Sequence, residues 1–172
     1  FDIGAYRGDF ATCVSQIWPK TQIACFEVLP QRVQELHLLA KTYSNIRVFP
    51  VLIGAENGEA VALHESETAS SILEEHIPQN FVTNLYPMRT VDEIIKTNFN
   101  GQIPDLLKID TQGYELEVLK GAEKSLLGMK AILVEVNLLD IHKNVPLMAD
   151  LASWLNIRGW VAYDICGLTR RP

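Results

Sequence analysis

The sequence is short of several things, and each shortage removes a class of function. Apolar residues make up 48% of the 172, yet no uninterrupted apolar run approaches the roughly 18 to 20 residues that a membrane-spanning helix needs. Positive charge is in deficit: 15 Lys and Arg stand against 21 Asp and Glu, for a net charge of −6. A nucleic-acid partner needs a Lys/Arg surface to meet phosphate, and no basic stripe is present. Cysteine is scarce and scattered. Cys13, Cys25 and Cys166 form no C-x-x-C pair, so they do not read as a disulfide framework or a zinc site; reduced thiols in a cytoplasmic protein are expected, with Cys13 and Cys25 as small apolar fillers. His37, His64 and His76 show no metal-ligand spacing, and no metal site is assigned.

One further absence is more specific. A dinucleotide-binding turn follows its first strand with G-x-G-x-x-G. Counted from Gly4, Tyr6 and Asp9 occupy the second and third glycine positions, which disfavours a nicotinamide-dependent dehydrogenase. What is present instead is Phe1-Asp2-Ile3-Gly4-Ala5-Tyr6-Arg7-Gly8-Asp9-Phe10, an apolar strand running into Asp-x-Gly-x-x-x-Gly and then a helix. Glycines there let bare backbone approach a ligand. A second apolar run, Ile23-Ala24-Cys25-Phe26, ends on Glu27, where a carboxylate is placed to accept hydrogen bonds from a ribose diol. Asp2 and Asp9 repel a pyrophosphate but suit a cationic ligand. A tight β–α turn that binds nothing is the alternative for this motif alone.

Short apolar runs alternate with helical periodicity along most of the chain, which predicts a mostly parallel, doubly wound α/β sheet with helices on both faces, in a single domain over 1–172 trimmed at both ends. Strands are expected at 1–4, 23–27, 46–53, 105–110, 131–136 and 160–165, with a short edge strand at 60–64. A closing C-terminal strand is expected to lie outside the chain. Helices are expected at 8–18, from Pro30 to about Tyr43, at 90–99 under a Thr90–Glu93 capping box, at 114–127 and at 145–157. Residues 65–87, polar and rich in Ser and Thr, read as a loop or lid.

Specificity comes from Leu106-Leu107-Lys108-Ile109-Asp110-Thr111-Gln112-Gly113-Tyr114-Glu115, continuing to Ala122. This stretch is very similar to the signature of the FkbM family of methyltransferases. The opening motif resembles that family's Asp-x-Gly-Ala-Asn-x-Gly-x-Phe at Asp2, Gly4, Ala5, Gly8 and Phe10, with Tyr6 where Asn is usual. Phe26-Glu27, Ser70-Ser71, Thr90-Val91-Asp92 and Leu133-Val134-Glu135-Val136 resemble further segments, so the likeness spans essentially the whole chain. It implies a Rossmann-like class I fold, S-adenosylmethionine as cofactor, and methyl transfer to a hydroxyl on a small-molecule, sugar or lipid-linked acceptor. It also implies cofactor contacts at Asp2, Gly4, Tyr6, Gly8, Phe10, Glu27, Ser71 and Asp110. A non-catalytic nucleoside- or partner-binding domain of the same fold is the alternative, supported by Tyr6.

Candidate catalytic residues are Asp110, Glu135 and His142. Asp110 falls at a strand's carboxyl end, where open α/β sheets bind ligands, though Asp is also a favoured helix cap. Glu135 interrupts an apolar strand, which is costly for a carboxylate unless it is paired or wet. Glu115 sits at a helix start, from which it can turn toward the site. With Asn137 and Asp140, Asp110 and Glu135 leave open an oxygen-rich Mg²⁺ site. His142 is a loop histidine that serves as a base or merely as surface. Gly4→Val is expected to remove cofactor binding while leaving much of the fold intact.

Overall fold

The computed structural model describes residues 1–65, 82–139 and 145–167. Its centre is a five-stranded parallel sheet built from β1 (Asp2–Ile3), β2 (Ile23–Phe26), β3 (Ile46–Phe49), β7 (Leu106–Ile109) and β8 (Ala131–Val134), in the spatial order β3-β2-β1-β7-β8. Helices α1 (Asp9–Ile17), α2 (Pro30–Thr42), α3 (Val91–Asn98), α4 (Glu115–Lys120) and α5 (Met148–Ile157) complete the α/β architecture.

Alternation along the strands divides the core into two layers, because successive side chains leave opposite faces of a sheet. Ile23 and Cys25 join Val14 of α1 and Leu36 of α2 on one face. Ala24 and Phe26 join Ile3, Leu107 and Ile109 on the other, under Ile94 of α3, Val118 of α4 and Leu151 of α5. Helices therefore cover both faces, as the apolar strands require.

Several boundaries differ from the sequence reading for identifiable reasons. The apolar run at 46–53 is two strands, since Pro50 has no N–H to continue a ladder: β3 stays in the central sheet, and β4 (Leu52–Ile53) leaves to pair with β6 (Val82–Arg89) in a separate sheet. The short edge strand lengthens to β5 (Gly58–Glu65), antiparallel to β6. The end of the expected loop at 65–87 is thus strand, while 66–81 lie outside the described residues.

The helix expected at 114–127 stops at Lys120 and resumes as a 3₁₀ turn at Leu126–Gly128. Asp92 is the cause: its carboxylate accepts from the backbone N–H of Lys124 and Ser125 (both 3.0 Å), and its own N–H donates to Gly121 O at 3.0 Å. At α3, Thr90 Oγ1 accepts from Glu93 N (3.0 Å) as the capping box predicts, while Thr90's own N–H is satisfied by Asn57 Oδ1 (3.0 Å). Residues 160–165 form no strand. A strand needs a neighbour, and here Val161, Tyr163 and Ile165 are exposed, only Trp160 packing on the core. Cys13 is exposed rather than a filler, and Cys25 is buried as expected.

Candidate active site

Parallel strands joined by right-handed crossovers on opposite sides leave a crevice where the strand order reverses, beyond the carboxyl ends. In the order β3-β2-β1-β7-β8 that point lies between β1 and β7. The Gly4–Gly8 turn leaves the end of β1 there, and Asp110 leaves the end of β7. The two motifs singled out in the sequence, about a hundred residues apart, are brought side by side.

Their contact is closer than a ligand-binding reading of Gly4 supposes. Gly4 has φ +71°, and a Cβ built on it would sit 1.9 Å from the backbone oxygen of Asp110. The space beside Gly4 is occupied by the chain itself, so Gly4→Val would disrupt the β1–β7 junction, contrary to the expectation of an intact fold. Gly8, at φ +85°, is the left-handed N-cap of α1 and seats against Leu36 and Leu39 of α2.

The turn's own donors are largely committed. Gly4 N and Ala5 N donate to Phe26 O (3.0 and 3.1 Å), Gly8 N donates to Ala5 O (2.8 Å), and Tyr6 N donates to Glu27 Oε2 (3.0 Å). A phosphate cradle requires such N–H groups to face outward. This turn suits a ligand without phosphate. Tyr6 holds φ +49°, and its ring lies under the Arg32 guanidinium at 4.4 Å and near that of Arg7 at 5.2 Å. The unusual residue at this position therefore engages the site through its backbone, which a side-chain substitution preserves.

Glu27 also accepts from Val28 N (2.7 Å) and Leu29 N (3.0 Å), both on Oε1. Three of about four carboxylate lone-pair positions are filled, leaving room for one ribose hydroxyl rather than the expected two. Burial pushes the Glu27 carboxyl above its ordinary range, against the pull of those three N–H groups and Arg32.

Asp2 is fully buried. The register explains its surroundings: Asp2 stands opposite Cys25 on β2 and Lys108 on β7, and directly paired residues in a sheet share a face. Lys108 Nζ lies 3.0 Å from Asp2 Oδ1 and forms an ion pair with it. Burial raises the Asp2 carboxyl, and Lys108 draws it back. The same Nζ donates to Gly4 O (3.0 Å), lies 3.6 Å from Asp110 Oδ2, and stands 6.0 Å from the centre of the Phe10 ring. Lys108 is the residue that sequence reasoning missed. Its signal was a lysine in the middle of a strand expected to be buried on both faces, an arrangement that costs free energy unless the charge is paired.

Asp110 does not cap a helix; Tyr114 is the N-cap of α4, with no side-chain cap bond. The work of ordering that loop falls to Glu115, whose buried Oε1 accepts from Thr111 N (2.9 Å), Thr111 Oγ1 (3.2 Å) and Gly113 N (3.1 Å). Glu115 thus faces the loop and not the crevice. The Asp110 carboxylate is partly exposed, and Gln112 Nε2 donates to its Oδ1 at 3.2 Å and to Glu135 Oε2 at 3.1 Å. Gln112 holds φ +53° to do so. Glu135 lies just past the end of β8 and is exposed, so the burial penalty inferred for it does not apply. One amide still brings the two candidate carboxylates together. Ser71, Asp140 and His142 lie outside the described residues. Among the described residues, no group of three or more His, Cys, Asp or Glu stands close enough to hold a metal ion, and no helix is long and apolar enough to cross a membrane.

Comparison with known proteins gives two likenesses. The family described as Methyltransferase FkbM domain matches residues 2–161. The crystal structure of methyltransferase FkbM from Methylobacillus flagellatus KT superimposes with a TM-score of 0.60 at 19% identity, over 91% of this chain and 35% of that one. The chain therefore spans about a third of the length of that neighbour, and the likeness is one of fold. Among curated proteins nothing matches.

Proposed function

The chain belongs to the family of FkbM methyltransferase domains, and from that premise we propose that it binds S-adenosylmethionine at the β1–β7 crevice and methylates a hydroxyl on a small-molecule, sugar or lipid-linked acceptor. The observation that carries this reading is the junction of the Gly4–Gly8 turn with Asp110 at the reversal of strand order, where a donor held on β1 and an acceptor held on β7 meet.

The residues present fit the cofactor. Its lack of phosphate matches a turn whose N–H groups are spent internally, and the remaining lone pair of Glu27 takes a ribose hydroxyl. Asp110 presents negative charge at the crevice, with Asp2 buried beneath it, as suits a sulfonium and an amino group. When bound, S-adenosylmethionine supplies a reactive methyl: an acceptor-oxygen-to-carbon bond forms as the carbon–sulfur bond breaks, the electron pair stays on sulfur, and the hydroxyl proton is released. The chain's own share is then orientation, which supplies roughly 7 to 11 kcal/mol, and a base for that proton, which adds about 10² to 10⁴ in rate. Asp110 faces the crevice, and Gln112 holds Glu135 beside it, so these two carboxylates orient the acceptor and receive its proton.

Isothermal titration with S-adenosylhomocysteine tests the cofactor assignment, and wild type is expected to bind. Glu27→Ala should weaken binding roughly 10- to 150-fold, the loss of a charge-assisted acceptor of about 1.5 to 3 kcal/mol. No binding by wild type, or equal binding by the variant, overturns the corresponding assignment. Methyl transfer from labelled donor to a panel of hydroxyl acceptors, with and without EDTA and Mg²⁺, then separates an enzyme from a binding domain. It also separates carboxylates acting on the acceptor from carboxylates holding a metal.

A further inference from the structure

The mid-strand lysine is the least expected feature of the crevice. Lys108 Nζ touches the carbonyl of Gly4, the buried carboxylate of Asp2 and the edge of Asp110 at 3.0, 3.0 and 3.6 Å. It belongs at once to the cofactor turn and to the acceptor side. A role as mere counterion for Asp2 does not account for the bond to Gly4 O, nor for the approach to Asp110, whose partly exposed carboxylate is already bonded by Gln112.

Methyl transfer consumes a positive charge: a sulfonium and a hydroxyl become a thioether and an ether, with the proton leaving separately. A crevice lined by Asp110 and Glu135, with Asp2 buried beneath it and no cation among them, would hold the charged donor tightly and lose that interaction on the way to the transition state, which binds the ground state at the expense of rate. A fixed cation among those carboxylates corrects the imbalance. We propose that Lys108 is a positioning residue that sets the charge of the crevice, pinning the Gly4 turn against Asp110 while offsetting the carboxylates so that the cationic donor is not favoured over its neutral product. This rests on the cofactor reading above.

The consequence is a change in ligand preference. Removing a unit charge a few ångströms from the ligand in a partly wet site shifts the affinity of a cation relative to a neutral molecule by roughly fivefold. The measurement is the dissociation constant for S-adenosylhomocysteine divided by that for S-adenosylmethionine, each obtained by calorimetry without acceptor. Lys108→Met should raise this ratio roughly fivefold above wild type, whatever happens to the two affinities together. Lys108→Arg should leave it near the wild-type value. A structural lysine would change both affinities equally and leave the ratio fixed in every variant.

If Lys108→Met does not fold, as judged by circular dichroism, Lys108→Gln, which keeps a donor for Gly4 O, takes its place: a raised ratio supports the proposal and an unchanged or lowered one overturns it. An unchanged ratio in a folded Lys108→Met, or an equal rise in Lys108→Arg, also overturns it. Wild type binding neither ligand is a different failure, since that removes the cofactor reading itself.

Discussion

Replacing Gly4 with alanine separates two reasons for a glycine, and the structure supplies the control. Gly4 and Gly101 both hold left-handed backbone, at φ +71° and φ +80°. A Cβ at Gly101 would meet nothing within 4 Å, whereas at Gly4 it would lie 1.9 Å from Asp110 O and 3.0 Å from Asp110 C. Both substitutions carry the left-handed penalty of an L-residue, about 1 to 2 kcal/mol, and both stiffen the unfolded chain to the same degree. Gly4→Ala alone must also move a backbone carbonyl, which cannot swing aside as a side chain does. Overpacking of this kind costs about 1 to 3 kcal/mol, with more where backbone has to shift. For a domain of this size each kcal/mol is worth about 2 to 4 °C, so Gly4→Ala should melt roughly 2 to 12 °C below Gly101→Ala. The displaced carbonyl belongs to the residue whose N–H donates to Ile3 O at 3.1 Å, so cofactor affinity should fall with stability. Far-ultraviolet circular dichroism melts of the two variants, side by side, give the answer. If Gly4→Ala melts at or above Gly101→Ala, the close approach of β1 to β7 is not what selects glycine here.

Glu115→Ala removes the acceptor of three hydrogen bonds from the 111–113 loop and should cost about 2 to 4 kcal/mol in urea unfolding; a loss under about 0.5 kcal/mol would refute the stapling role. Burial raises the Asp2 carboxyl above its ordinary 3.8, so folding disfavours its charged form relative to its protonated form. That contribution to stability is fully present below about pH 3.8 and is lost as pH climbs through the raised value. Relative to wild type, Asp2→Asn should therefore gain stability between pH 4 and pH 7, and a difference that moves the other way contradicts the burial argument. The Cys25 thiol is pushed up to about 12 by burial, so iodoacetamide at about pH 8 should label exposed Cys13 and Cys166 and spare Cys25 until the protein is unfolded.

Strand and helix placement was legible in the sequence wherever a local rule was enough. The Thr90 cap, the proline that opens α2 and the left-handed Gly8 are properties of a few neighbouring residues, and so is the spacing that excludes a dinucleotide turn. The unbroken apolar run Ile23–Phe26 likewise announced a strand buried on both faces. The family signature around Asp110 was equally a matter of consecutive residues. Non-local contacts decided the rest. Register alone sets Asp2 of β1 opposite Lys108 of β7, and no pattern within either strand contains that pairing. Glu115 could turn toward the site as far as the sequence showed, although helix starts attract carboxylates in any case; only the path of the 111–113 loop shows that its oxygen is used within the chain. The apolar run at 46–53 was divided between two sheets by its partners β2 and β6, and 160–165 failed to become a strand because a strand is a relation to a neighbour and not a property of composition. The sequence by itself determined which segments are apolar, where the chain turns and which acids lie at strand ends. The tertiary structure decided which charges meet, because the free energy of a buried carboxylate depends on the cations that register brings within reach.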